Sequence, residues 1–270
     1  MEQTSQGQRE SPILFSSATE QAARYVYCVA PLDAAASLGA IGIEGQEVYA
    51  VVHRGLGALV HDCPARAYQS ADRESAVVWV LAHHNVVQAA WKRWGTVLPL
   101  TFNTLIAPDE TSAADNLVAW LGREHEPLKA RLDALVGKAE YGVQVFCDTA
   151  CLVRRAAASD PEIRQLEEAI KSRSRGMAYM YRQKLEGLLR QAVEAQAAAG
   201  FRDLYARLSR HAADTRVEKT KAAEEGKRMV LNLSCLVSGE RFPDLRAEMD
   251  SIANGEGFSA RLVGPMPPYS

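Results

Sequence analysis

The sequence predicts an α+β protein of two domains, the second a modified ferredoxin-like fold with a long helix, and three observations lead there. The second half reads strand, long helix, short helix, strand, strand, helix, strand, which is the split βαβ order with one inserted helix. The first half runs through three early strands, a helix, a short strand and a helix, an α+β pattern of less regular topology. The 270 residues are 47% hydrophobic and 24% charged, a globular composition with enough length for two cores. The expected divisions are a disordered leader at 1–22, an N-terminal α+β domain at 23–137, a ferredoxin-like C-terminal domain at 138–263 and an extended C-terminal tail at 264–270.

The leader is rich in Gln, Ser, Thr and Glu and has no sustained apolar period. Structure is expected to begin at Arg24–Ala30, where aromatic and β-branched residues cluster. Glu47–His53 and Gly57–His61 read as two more strands, joined as a hairpin by the tight-turn chemistry of Arg54-Gly55-Leu56-Gly57. Val77, Leu81, His84, Val87, Trp91 and Trp94 then recur at three- and four-residue steps, which predicts a helix with that face inward. Thr96–Leu100 holds Pro99 and suits an edge strand. Ser112 is placed to cap a helix carrying Leu117, Trp120, Leu121, Leu128, Leu132 and Leu135, bent or broken at Pro127 and stopped by Gly137.

Glu140–Cys147 alternates as a strand opening the second unit, and Ser159-Asp160-Pro161-Glu162 is a helix start. The pattern from Ile163 to Ala198 predicts one helix on the order of 50 Å long, weakened at Gly176 and Gly187 and broken at Gly200 before a shorter helix, Phe201–Ala212. Thr215–Lys219 reads as a short strand. Arg228–Val237 is the clearest strand, with Leu231, Leu233, Cys235 and Val237 on one side and Asn232 and Ser234 on the other. Arg241–Ala253 is a helix with Phe242, Leu245, Met249 and Ile252 inward, and Phe258–Val263 a closing strand.

Composition excludes several function classes. A formal net charge of −2 gives no general pull toward nucleic acid or anionic lipid. No apolar run approaches the roughly 20 residues that span a bilayer, and Ile13-Leu14-Phe15 is too short for a secretory core. The five cysteines (Cys28, Cys63, Cys147, Cys151, Cys235) are odd in number and scattered, as suits a reducing cytoplasm.

Motifs for catalysis are equally sparse. His83 and His84 are adjacent, diverge by about 100° on a helix and do not chelate one metal; His84 falls on the predicted apolar face. Cys147 and Cys151 have no second pair at metal spacing. Gly55-Leu56-Gly57 lacks a third glycine, and neither a phosphate-gripping loop nor a Gly-x-Ser-x-Gly elbow occurs. Glu162, Glu167, Glu168 and Glu186 interleave with Lys171, Arg173, Arg175, Arg182, Lys184 and Arg190, a solvated helix surface rather than a nucleic-acid footprint. No catalytic, cofactor-binding or metal-binding residue is predicted.

Several separated segments together resemble the gas vesicle protein GvpL/GvpF family. Tyr25-Val26-Tyr27-Cys28-Val29 is similar to its first strand and Gly55–Val60 to its hairpin. His83-x-x-Val86 with Thr96-Val97-Leu98-Pro99-Leu100-Thr101-Phe102 resembles its helix and "VLPLRFG" signature, and Gly137–Val145 its "GKxEwgVkv" strand. Val230–Val237 and Gly264-Pro265-Met266-Pro267-Pro268-Tyr269 resemble its last core strand and "GPWPPY" ending. Thr101 and Asn103 stand where the family usually has Arg and Gly, and Met266 where it has Trp.

The resemblance implies an accessory protein of gas vesicle assembly, cytoplasmic and vesicle-associated, that is not an enzyme and needs no cofactor. It would bind the hydrophobic shell protein GvpA and other gas vesicle accessory proteins, aiding nucleation or growth of the vesicle, with neither nucleic acid nor membrane as partner. The expected partner-binding residues are Val230, Asn232, Ser234 and Leu236 on a sheet edge and Gly264, Pro265, Pro268 and Tyr269 in the tail. A shell subunit that polymerises through strands and apolar surface has to be held soluble, and an open edge can engage a strand while the long helix offers a second face. The tail could equally complete its own sheet. Outside the resemblance, the fold also admits a ferredoxin-like small-ligand-binding or oxidative enzyme built on His83, His84 and Tyr179, or a general scaffold.

Overall fold

The computed structural model describes residues 22–172 and 174–269, so all but the last residue of the predicted leader lies outside the described chain. The first sheet comprises β1 (Ala23–Pro31), β2 (Ser37–Gly39), β3 (Val48–His53), β4 (Leu56–Cys63), β5 (Leu98–Pro99) and β6 (Leu105–Ile106), in the order β2-β3-β4-β1-β5 with β6 also on β1. β3 and β4 are the predicted hairpin, and their turn residues Arg54 and Gly55 take φ of 50° and 81°, the left-handed pair that matches strand twist. β5 is the edge strand that Pro99 called for.

Helices cover both faces of this sheet, which is why β1 is buried along nearly its whole length. On one side lies α1 (Arg73–Trp94), capped by Asp72, whose carboxylate accepts from the Glu74 and Ser75 N–H groups at 3.2 and 2.8 Å. On the other lie α2 (Ala113–Arg123), capped by Ser112 as expected, and α3 (His125–Leu135). The break between them falls at Glu124, and Pro127 occupies the first turn of α3, where it has no intrahelical bond to lose.

α1 is rotated from its predicted orientation. His83, Val86, Val87 and Ala90 are buried, whereas Val77 and Leu81 stand out at 48% and 54% exposure. The core beneath α1 contains the fully buried rings of Tyr25 and Tyr27, and a buried hydroxyl needs a polar partner. His83 faces inward to supply one; valine and leucine cannot.

The second sheet comprises β7 (Lys138–Asp148), β8 (Asp214–Val217), β9 (Lys227–Ser238) and β10 (Phe258–Met266), antiparallel throughout in the order β10-β7-β9-β8. That is the split βαβ arrangement expected from element order. Its helices are α4 (Thr149–Ser159), α5 (Pro161–Ser172), α6 (Arg175–Ser209) and α7 (Phe242–Ala253). Two details differ from expectation. α4 is an additional helix, and the long pattern divides between α5 and α6 rather than at Gly200, which lies within the 35-residue α6. A helical glycine costs about 1 kcal/mol relative to alanine; the turns after it bury Leu204 and Leu208 in the core, which offsets more than that.

Val143, Val145, Leu231, Leu233, Cys235 and Val237 point toward α4, α6 and α7, the side predicted for β9. Leu236 points the other way and joins Val26, Val29, Leu117, Leu121, Leu128 and Leu132 in the core between the first sheet and α2 and α3. The two halves therefore share one hydrophobic cluster through a single strand.

Candidate partner-binding surfaces

The eight predicted contact residues separate into distinct environments. β9 is an interior strand, paired with β7 along its length and with β8 at Leu233–Leu236; the sheet's edges are β8 and β10. A bulge opposite Val145 and Phe146 makes Val230 the extra residue of β9 and turns it into the second core, which breaks the strict alternation read from sequence. Leu236 is buried in the shared cluster. Asn232 and Ser234 lie on the helix-free face, Asn232 donating from Nδ2 to the Lys219 carbonyl at 2.7 Å.

The tail crosses from the second sheet to the first half. Gly264 has φ of 129°, and a Cβ there would lie 2.9 Å from the Glu140 carbonyl oxygen, so both conformation and space select glycine. Gly264 and Pro265 are exposed, whereas Pro268 is buried. The Tyr269 N–H donates to Glu140 Oε2 at 2.7 Å. Its hydroxyl meets His84 Nδ1 at 3.1 Å, and the two rings stack with centroids 5.7 Å apart. The intramolecular docking considered for the tail is present, and its anchor is α1 as well as β7.

The exposed part of α1 carries Val77, Val78, Val80 and Leu81, 48–61% exposed, and Val80 lines a hollow of about 350 Å³ with Tyr269, Pro99, Leu100 and Phe102. These residues were missed as a surface. The signal was present in Ala76-Val77-Val78-Trp79-Val80-Leu81-Ala82, seven apolar residues in succession, which wrap a helix all round and exceed what one buried face can cover.

The histidines are structural partners of tyrosines. Tyr25 donates to His83 Nδ1 at 2.9 Å, while His83 Nε2 donates to the Leu100 carbonyl at 3.2 Å. The Tyr27 hydroxyl and His61 Nδ1 are hydrogen-bonded at 2.8 Å, and His61 Nε2 reaches the Tyr68 hydroxyl at 3.0 Å. Burial lowers both histidines to about 4, so they are neutral at pH 7 with both ring nitrogens engaged. Asn103 takes φ of 70°, donates its N–H to the Tyr25 hydroxyl at 3.1 Å and exchanges two side-chain bonds with the Tyr68 backbone. Asparagine tolerates the left-handed region, which explains how it stands where glycine is usual. Tyr179 is exposed on α6, in contact with Gln183 and with neither histidine.

All five cysteines are buried free thiols, and burial pushes Cys147 up to about 11 and Cys235 up to about 12, far from thiolate reactivity. Among the described residues no three His, Cys, Asp or Glu side chains gather as a metal set, and no helix is long and apolar enough to cross a membrane.

The family model for the gas vesicle synthesis protein GvpL/GvpF matches residues 23–270. The chain belongs to the GvpL/GvpF family. It is 28% identical over 256 residues to gas vesicle protein L2 of Halobacterium salinarum, covering 92% of this chain and 90% of that one. It is 31% identical over 234 residues to gas vesicle protein F of a Streptomyces species, covering 86% and 91%. The crystal structure of GvpF from Anabaena superposes with a TM-score of 0.71 at 18% identity, over 92% of this chain and 97% of the other. GvpF from Microcystis aeruginosa gives 0.61 at 18% identity, over 92% and 98%. At that identity the two crystal structures establish the shared α+β fold, and membership of the GvpL/GvpF family places the chain in gas vesicle formation.

Proposed function

We propose that this protein is a non-enzymatic accessory factor that binds the hydrophobic gas vesicle shell protein GvpA in the cytoplasm, together with other accessory proteins, and delivers it to the nucleating or growing vesicle. One observation carries the reading: the apolar residues Val77, Val78, Val80 and Leu81 lie exposed on α1, and Val80 lines a hollow with Tyr269. Contiguous apolar surface of this kind marks a protein contact, and an aggregation-prone shell subunit is a partner that needs such cover. Tyr269, Pro268 and the exposed Gly264-Pro265 corner would frame the contact, and Asn232 and Ser234 would belong to a second one on the open sheet. The halves meeting at Gly137–Lys138 are proposed as domains held together by Leu236 and the tail.

Co-purification of GvpA with the full chain and with the double variant Val77→Asp/Leu81→Asp tests the reading. Both positions are exposed, so the variant is expected to fold as judged by circular dichroism and to retain less than about a tenth of the shell protein, the size of a lost interface anchor. Undiminished capture by the folded variant would remove α1 from the contact.

A further inference from the structure

The helix-free face of the second sheet is a built trough of a different chemistry. Register places Arg261 beside Gln144 and Gln144 beside Asn232; in the next row Val263, Gly142, Ser234 and Arg216 follow one another across all four strands. Glycine and serine at the centre keep the floor low. The segment after β8 forms a wall, held by the Glu218 N–H on the Asn232 carbonyl at 2.9 Å and by Asn232 Nδ2 on the Lys219 carbonyl at 2.7 Å. The open trough holds about 740 Å³, and a hollow of about 290 Å³ continues it past Phe146 and Arg261.

Its charge is lopsided. Lys219, Lys221 and Arg261 line it together with one carboxylate, Glu218, which pairs with Arg216 at 3.4 Å; none of the three cations makes an ion pair among the described residues. The other nearby cations are neutralised locally, Arg216 by Glu218 at 3.4 Å and Lys227 by Glu224 at 3.2 Å. Three unpaired cations thus face one cleft against the single carboxylate of Glu218, on a chain whose formal net charge is −2. β10 borders the cleft as an edge strand, with one side of its backbone unpaired by any described strand.

We propose that this trough binds an extended acidic segment of a partner protein. Carboxylates meet Lys219, Lys221 and Arg261, and small apolar side chains rest on Phe146, Met229 and Val263. At about 3.3 Å per residue, the floor from Gly142 to Phe146 takes a segment of about five or six residues. The partner surface is independent of the apolar strip on α1: one recognises charge, the other hydrocarbon.

Fluorescence anisotropy of the full chain with a labelled hexapeptide, Glu-Val-Glu-Leu-Glu-Val, and its lysine counterpart tests this at low and high salt. The acidic peptide is expected to bind at least about tenfold more tightly than the basic one and to weaken as salt screens the contacts. The triple variant Lys219→Gln/Lys221→Gln/Arg261→Gln is expected to lose about tenfold, the sum of three exposed contacts, with an unchanged circular dichroism spectrum. Equal binding of the two peptides, or full binding by the folded triple variant, would overturn the proposal. So would displacement of the acidic peptide by single-stranded oligouridine or inorganic phosphate at lower concentration than by unlabelled peptide. Capture of GvpA by the triple variant is expected to persist, so failure here and failure of the α1 contact give different results.

Discussion

The two sheets solve the problem of their second face differently. Helices sandwich the first sheet, and its unspent apolar surface is left on the outside of one of those helices, at Val77, Val78, Val80 and Leu81. The second sheet has helices on one side only, and its other side divides. Leu236 is covered by the first half, Asn232 is buried under the segment after β8, and Gln144 and Ser234 line a trough with three unpaired cations. A sheet face that must remain uncovered is made polar, while a helix face that remains uncovered here is apolar. On the reading proposed above, hydrocarbon contacts fall to one half of the molecule and charged contacts to the other.

The sharpest way to break the comparison is through the strand both halves share. Leu236→Ala is expected to destabilise by about 2–5 kcal/mol, the range for a buried leucine, and to separate urea unfolding into two transitions. Leu231→Ala, whose side chain packs only in the second core, is expected to cost as much while the first half keeps its transition. A single common transition in Leu236→Ala would show that the tail alone holds the halves together.

Acid sharpens it next. His61 and His83 are both in the first half and are lowered to about 4 by burial, with Asp62 opposing the shift at His61 and His84 adding to it at His83; the Leu100 carbonyl opposes it. An unfolded histidine takes up its proton near 6.5, so the unfolded state gains protons first as pH falls. Stability from each histidine is full above pH 6.5 and is lost between there and about 4, on the order of 3 kcal/mol per residue. Urea midpoints measured from pH 7.5 to 4.5 are expected to fall, and His83→Gln, which can replace both hydrogen bonds without titrating, is expected to halve the slope.

The tail gives a smaller effect. Gly264→Ala forces a Cβ to within 2.9 Å of the Glu140 carbonyl at a φ of 129°, and is expected to cost about 1–3 kcal/mol by undocking Tyr269 from His84. Loss of the contact is readable as a changed His84 resonance in the NMR spectrum, and an unaltered resonance would show that the strand end shifts while the tail holds.

Much of this architecture was legible because the local signals agreed with the tertiary outcome. Ser112, the Arg54-Gly55 turn, Pro99 at an edge and the alternation from Leu231 to Val237 each have one low-energy solution. The split βαβ order followed from those elements. Where sequence reasoning missed, a long-range demand had overridden a local preference. Gly200 continues a helix because Leu204 and Leu208 reach the core, and Val230 leaves its face because of a bulge set by β7. The contact surfaces were the least visible. Lys219, Lys221 and Arg261 are separated in sequence by up to about forty residues and meet only through β8, β9 and β10.

The smallest expected effect bears on the residues that sequence and structure treat most differently. If Leu81 lay on the inward face that its three- and four-residue spacing suggests, Leu81→Ala would cost about 2–5 kcal/mol. At 54% exposure, with His83 and not Leu81 facing Tyr25, the cost is expected to stay within about 0.5 kcal/mol. Urea unfolding of Leu81→Ala beside Val87→Ala, which is fully buried one turn and a half further on, measures that contrast directly. A near-silent Leu81 with a costly Val87 means that the apolar strip contributes little to the fold. Its apolar character then has to be explained by something outside the chain. A costly Leu81 would mean that α1 turns the strip inward, and the hydrocarbon surface assigned to the first half would disappear with it.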